Sequence, residues 1–162
     1  MKRGIQEKGA ARFVKTDAID HKIIGVLQSE ARIALAELAR RVNLSAPAVA
    51  ERIQRLERAD VITGYRAVIN PKALGYALTA IVRIKPSPGQ LPRIPELALK
   101  IPEVAECHRI TGEDCFYLKV HLRSIDELTP LLDRFLPFGD TTTSIVNASP
   151  IVHRDPPAME AS

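Results

Sequence analysis

Residues 34–66, ALAELARRVNLSAPAVAERIQRLERADVITGYR, decide the architecture of the first half of the chain. Leu35, Leu38, Ala39 and Val42 recur at the helical period, which predicts a helix from about Leu35 to Arg41. Asn43 follows, a residue that tolerates left-handed backbone. Ser45 has the chemistry of an N-cap, and Pro47 falls in a first turn, where its missing N–H costs nothing. The helix so opened runs to about Ala59, with Val49, Ile53 and Leu56 on one stripe. Two helices joined by a tight turn, the second starting with small residues, make a helix-turn-helix candidate. Ser45, Ala46, Pro47 and Ala48 would let the backbone approach base edges.

On the N-terminal side, Ile19, Ile23, Ile24 and Leu27 follow the same period behind Asp17, predicting a first helix that fades near Ser29. Residues 1–15 carry Lys2, Arg3, Lys8, Arg12 and Lys15 with no apolar period, and read as a flexible basic tail. His21 reads as a surface histidine. On the C-terminal side, Val61 to Ile69 suggests two short strands around Thr63-Gly64, a wing or connecting ribbon, before an Asn70-Pro71 turn and Gly75.

From Tyr76 the elements alternate. Strands are expected over Tyr76–Lys85, Val104–Thr111, Cys115–Leu122 and Thr142–Val152, with helices over Leu91–Lys100 and, capped by Ser124, over Ile125–Phe135. The order βαββαβ is that of a ferredoxin-like sheet with both helices on one face. Phe116, Leu118, Val120 and Leu122 should face those helices. The opposite face, read as Ala77, Thr79 and Ile81 with Ile145, Ser149 and Ile151, is expected to be apolar enough to pair with a second subunit. The fold class is therefore α+β: a winged helix-turn-helix domain at residues 16–65, a connecting ribbon at 66–75, a ferredoxin-like domain at 76–153 and a C-terminal tail at 154–162.

Composition narrows the function. The chain has 162 residues, 46% hydrophobic and 26% charged, with no tryptophan and 4% aromatics, which leaves little for stacking on bases. No apolar run approaches a membrane span, and the first residues have no apolar signal segment, so a cytoplasmic address is expected. Residues 1–66 hold 13 Lys or Arg against 8 Asp or Glu, whereas residues 67–162 hold 10 against 11. The cationic half suits a polyanion. Seven arginines and no lysine lie between residues 32 and 66, and guanidinium forks favour phosphate or guanine. The alternative is a three-helix surface whose arginines pair with Glu37, Glu51, Glu57 and Asp60.

Read together, IDHKIIGVLQ at 19–28, the run from Ala34 to Gly75, TGEDCFYLKV at 111–120 and TTTSIVNASPIV at 141–152 resemble the Lrp/AsnC family of bacterial and archaeal transcription regulators. The resemblance covers roughly residues 16–153. It implies homodimers, often assembling to octamers, that bind a partly palindromic operator in double-stranded DNA. It also implies that an amino acid or related small metabolite modulates binding or assembly. Carried over by position, Ser45, Ala46, Pro47, Ala48 and Arg52 would face the major groove, and Arg55 and Arg40 would hold phosphates. An effector pocket would lie at subunit contacts near Thr111, Gly112, Glu113 and Asp114, with Thr141, Thr142, Thr143 and Ser144. Asn43 stands where many members have Gly, and Cys115 where many have aspartate.

The turn Thr111-Gly112-Glu113-Asp114 by itself reads in two ways: an acidic hairpin turn, or a loop whose N–H groups and carboxylates hold a zwitterion. Cys107, His108, Cys115 and His121 lack a zinc spacing, and no cofactor or catalytic motif occurs. Two other functions fit the architecture. A sirohaem-decarboxylase-like enzyme would use His108, His121 and Arg109, and a sensor module would bind only protein partners.

Overall fold

A computed structural model describes residues 15–156. All but Lys15 of the basic tail expected at 1–15 and most of the tail expected at 154–162 lie outside the described residues. Two compact units divide the rest, one holding residues up to 67 together with those from 153 onward, the other residues 68–152.

In the first unit Asp17 starts α1 (Ala18–Ser29) with a reciprocal cap. The Asp20 N–H donates to Asp17 Oδ1 at 2.8 Å, and the Asp17 N–H donates to Asp20 Oδ2 at 3.0 Å. Two orphan amides are thereby satisfied at one helix end. Helix α2 (Leu35–Val42) ends at Asn43, which takes the left-handed conformation (φ 55°, ψ 45°) expected of it. Ser45 then caps α3 (Ala46–Arg58), its Oγ accepting from the Ala48 N–H. Ile23, Leu38, Ala39, Val42 and Val49 form the buried centre, flanked by Ile19, Val26, Leu27, Leu44 and Ile53. Each large side chain buried there stabilises the unit by about 1.5–3 kcal/mol. His21 is not a plain surface residue: its Nε2 lies 2.6 Å from Thr16 Oγ1, and its Nδ1 is buried without a partner among the described residues.

The expected wing strands do not form. The Val61 and Ile62 amides turn back to the Leu56 carbonyl, prolonging the end of α3 instead of opening a ladder. Residues 63–69 then run with no backbone hydrogen bond among the described residues, and Val68 is 85% exposed. A short strand needs a partner to satisfy its amides, and the described residues supply none there. The Asn70-Pro71 turn does form, as a single 3-10 turn (Pro71–Leu74) that Asn70 caps and Gly75 closes at φ 87°.

The second unit is the βαββαβ arrangement: β1 (Leu78–Pro86), α4 (Arg93–Ala98), β2 (Val104–Arg109), β3 (Phe116–Leu122), α5 (Leu128–Asp133) and β4 (Gly139–Ile145). The antiparallel sheet has order β2-β3-β1-β4. Ala80, Val82 and Ile84 with Phe116, Leu118, Val120 and Leu122 pack against Ile94, Ala98, Leu131 and Phe135. Ser124 caps a short 3-10 turn (Ile125–Glu127) that leads into α5.

The last strand starts earlier and ends sooner than its sequence suggests. Gly139 lies so close to β1 that a Cβ there would meet the Lys85 carbonyl oxygen at 2.3 Å, so the missing side chain permits the first rung. The Val146 N–H still reaches Thr79, but β1 begins at Leu78 and leaves residues 147–152 without a strand to pair with. Ile145 consequently stands in register with Ala80, on the helix-facing parity, and Ser149 and Ile151 lie beyond the strand. The opposite sheet face is more polar than expected: beside Thr79 and Ile81 it carries Arg83, Lys85, Tyr117, Lys119 and His121.

Candidate nucleic-acid interface and effector turn

Helix α3 rotates by about 100° per residue, so the stripe Val49, Ile53 and Leu56 fixes what points away from the core. Opposite it run Pro47, Glu51, Gln54, Arg55 and Arg58, all exposed. Ser45 is exposed and Ala46 and Ala48 half-buried, so the leading end of the helix has small side chains and a filled cap.

The arginines divide by partner. Arg52 is 26% exposed, and its Nη1 donates to Asp17 Oδ2 at 2.7 Å and Asp20 Oδ1 at 2.8 Å. Arg55, 49% exposed, donates Nη2 to Asp20 Oδ2 in a short contact. Asp20 is wholly buried. Its carboxylate accepts from both guanidinium groups and from the Asp17 amide, which is how a buried charge becomes tolerable. Arg40 makes a fork on Glu37, and Arg41 spans Glu37 and Glu30. Asp20 escaped the sequence reading, although the Asp17-x-x-Asp20 spacing ahead of an apolar run is a capping-box signal.

The Asp20 amide and then the Arg52 guanidinium hold the Asp17 carboxyl at about 2, below its ordinary 3.8. A depressed folded-state value contributes stability that is fully present above about pH 4 and lost as the pH falls toward 2. Asp17 is half exposed, so water screens much of the effect. Urea denaturation of the native chain and Asp17→Asn should therefore differ near neutrality and converge toward pH 2; a constant gap across that range would remove Asp17 as the titrating group.

In the second unit, Thr111, Gly112 and Glu113 are exposed and Asp114 is half-buried. The Ile110 N–H donates to the Cys115 carbonyl across the turn at 2.9 Å, and Gly112 takes φ 120°. Asp114 Oδ2 lies 3.2 Å from Arg83 Nη1, an arginine absent from the sequence reading. Arg83 is opposite Tyr117 on one side and Thr142 on the other, so it stands between the turn and β4. The four β4 residues do not act as a block. Thr141 and Thr143 pair with Ile84 and Val82 on the helix side, whereas Thr142 and Ser144 lie on the open face. Two strand spacings, about 10 Å, separate β4 from β3 within one chain.

His108, His121 and Arg109 do not converge. His108 and Arg109 are on opposite faces of β2. His108 stands opposite Tyr117, four residues or about 13 Å along β3 from His121. His121 Nδ1 lies 3.0 Å from Thr79 Oγ1, and burial lowers its pKa, favouring the neutral ring. Among the described residues no three of His, Cys, Asp or Glu gather as a metal site.

Comparison with known proteins follows the same two units. An AsnC-type helix-turn-helix domain matches residues 17–57, and an Lrp/AsnC ligand binding domain matches residues 79–156. HTH-type transcriptional regulator LrpA of Mycobacterium tuberculosis is 38% identical over 137 residues, 84% of this chain and 89% of that protein. HTH-type transcriptional regulator FL11 of Pyrococcus furiosus is 35% identical over 117 residues, 72% and 78% respectively. A transcriptional regulator from Neisseria meningitidis, solved as a complex with L-Met, superposes with a TM-score of 0.80 at 28% identity, covering 86% of this chain and 94% of that one.

Proposed function

The chain belongs to the Lrp/AsnC family of HTH-type transcriptional regulators, and from that membership we propose how its two units work. The N-terminal unit binds double-stranded operator DNA through α3. Ser45, Ala46, Pro47 and Ala48 face base edges in the major groove, and Arg55 and Arg40 hold phosphates. The observation that carries this reading is the open leading end of α3, small and capped, with Arg55 exposed about two turns further along the same helix. Arg52 contributes through the part of its guanidinium not spent on Asp17 and Asp20, and chiefly sets α3 against α1.

The C-terminal unit takes a small-molecule effector, an amino acid or close metabolite. The relative solved with L-Met supports that class. The turn Thr111–Asp114 supplies carboxylates and backbone N–H groups, and Thr142 and Ser144, the two of Thr141–Ser144 on the open face, come from a second copy, since β4 of the same chain is two strands away. Homodimers, and higher assemblies built from them, follow from a pocket shared in this way. Residues 16–65, 66–75 and 76–153 are then the DNA-binding domain, the connecting ribbon and the sensor. Among the described residues no helix is long and apolar enough to cross a membrane, and we place the protein in the cytoplasm with its DNA.

DNA retardation with and without a panel of amino acids, paired with sedimentation, tests this account. At least one amino acid should change operator affinity or assembly, and Glu113→Ala should abolish that response while leaving ligand-free binding intact. A panel without effect on either readout would overturn the effector reading; failure to retain any DNA at low salt would overturn the regulator reading.

A further inference from the structure

Residues 15–67 contain seven acidic side chains: Asp17, Asp20, Glu30, Glu37, Glu51, Glu57 and Asp60. Six are engaged. Asp17 and Asp20 hold Arg52 and Arg55, Glu30 and Glu37 hold Arg40 and Arg41, Glu57 accepts from the Tyr65 hydroxyl, and Asp60 also has a partner. Glu51 alone makes no hydrogen bond or ion pair among the described residues, though Arg55 stands one turn away on the same helix. That arginine is turned toward Asp20 instead.

The position of Glu51 gives this isolation a meaning. It is exposed, almost diametrically opposite the buried stripe of α3, and one turn after the leading end. A lone carboxylate there, on the surface offered to a polyanion, is repelled by phosphates and weakens sequence-independent binding. It becomes favourable only opposite a hydrogen-bond donor on a base edge. In the major groove cytosine presents its N4 donor and no acceptor of its own. Adenine sets its N6 donor beside the N7 acceptor, and guanine and thymine present O6 and O4 acceptors to a carboxylate.

Resting on the DNA-binding reading above, we propose that Glu51 is a specificity-determining residue, its carboxylate accepting a hydrogen bond from N4 of one cytosine in each half-site. Arg52, drawn to the acids of α1, leaves that position on the outward stripe to Glu51. The side chain selects twice, by attraction to cytosine and by repulsion from every site lacking it.

Selection of binding sites from a random DNA library tests the proposal, using the full-length native chain, Glu51→Gln and Glu51→Ala. The native protein should enrich a motif with one cytosine per half-site whose replacement lowers affinity about 5- to 150-fold. Glu51→Ala should lose the preference at that base pair alone and bind random DNA more tightly. Glu51→Gln should shift it toward adenine, whose N6 and N7 match an amide. The Glu51 side chain is exposed and has no hydrogen bond or ion pair to lose among the described residues, so folding of both variants, checked by circular dichroism, should not change. An unaltered motif from Glu51→Ala would overturn the proposal while leaving DNA binding intact. Should the native chain enrich no motif, the DNA-binding reading itself would fall, and this inference with it.

Discussion

Asp20→Ala should destabilise the N-terminal unit by about 3 kcal/mol, as much as truncating one of its buried aliphatic side chains. The substitution removes a carboxylate that is wholly buried and accepts from Arg52, Arg55 and the Asp17 amide. Breaking a buried ion pair by deleting one partner costs about 3–5 kcal/mol. The lower end applies because the two orphaned guanidinium groups keep access to water, at 26% and 49% exposure. Asp20 also stands at the third position of α1, where a negative charge complements the helix dipole. Asp20→Asn keeps an oxygen for the Asp17 amide and removes the charge, so it should fall between native and alanine. Urea denaturation followed by circular dichroism, with hydrogen exchange to localise the loss to α1 and α3, measures both. If Asp20→Ala melts as the native chain does, the network contributes no net stability and Arg52 is free to serve DNA instead.

That network shows what a sequence does and does not disclose. The helices were legible because apolar spacing and caps are local: Leu35 to Val42, Asn43 and Ser45 each act on neighbours within a turn. The alternation of Phe116 to Leu122 was legible for the same reason, being a property of one strand. What failed depended on distant partners. Val61 to Ile69 has strand-forming residues, yet among the described residues no second strand satisfies its amides. Thr142 to Val152 reads as one strand, but its length is set by where β1 begins, at Leu78. In the candidate sites, residue types and turns could be read, but pairings could not. Arg52 and Asp17 are 35 positions apart, and Arg83 reaches Asp114 from a different strand. Charge composition announces an arginine-rich surface without saying which guanidinium groups are already committed.

Those commitments set the second large effect, the salt dependence of operator binding. Lys15, Lys22, Arg32 and Arg66 have no acidic partner among the described residues, and Arg55 spends one nitrogen on Asp20 while half its side chain faces solvent. Arg40, 74% exposed, can exchange Glu37 for a phosphate at small cost because that pair is already in water. With about three of these cations on phosphate in each protomer, a dimer neutralises about six phosphates, which gives a slope near −5 in log K against log salt, so affinity should fall about a thousandfold between 50 and 200 mM. Arg55→Ala should weaken operator and random DNA alike and make the slope shallower by about one per protomer, the signature of a lost phosphate contact. Arg52→Ala should act differently. Removing it strips a partner from two carboxylates, so the first loss is stability of the unit, with the slope little changed where the protein stays folded. Fluorescence anisotropy across a salt series, on operator and on random duplex, separates the two arginines. A slope unchanged by Arg55→Ala would remove that residue from the phosphate contacts. A shallower slope from a stably folded Arg52→Ala would show that its guanidinium leaves Asp17 and Asp20 to meet DNA.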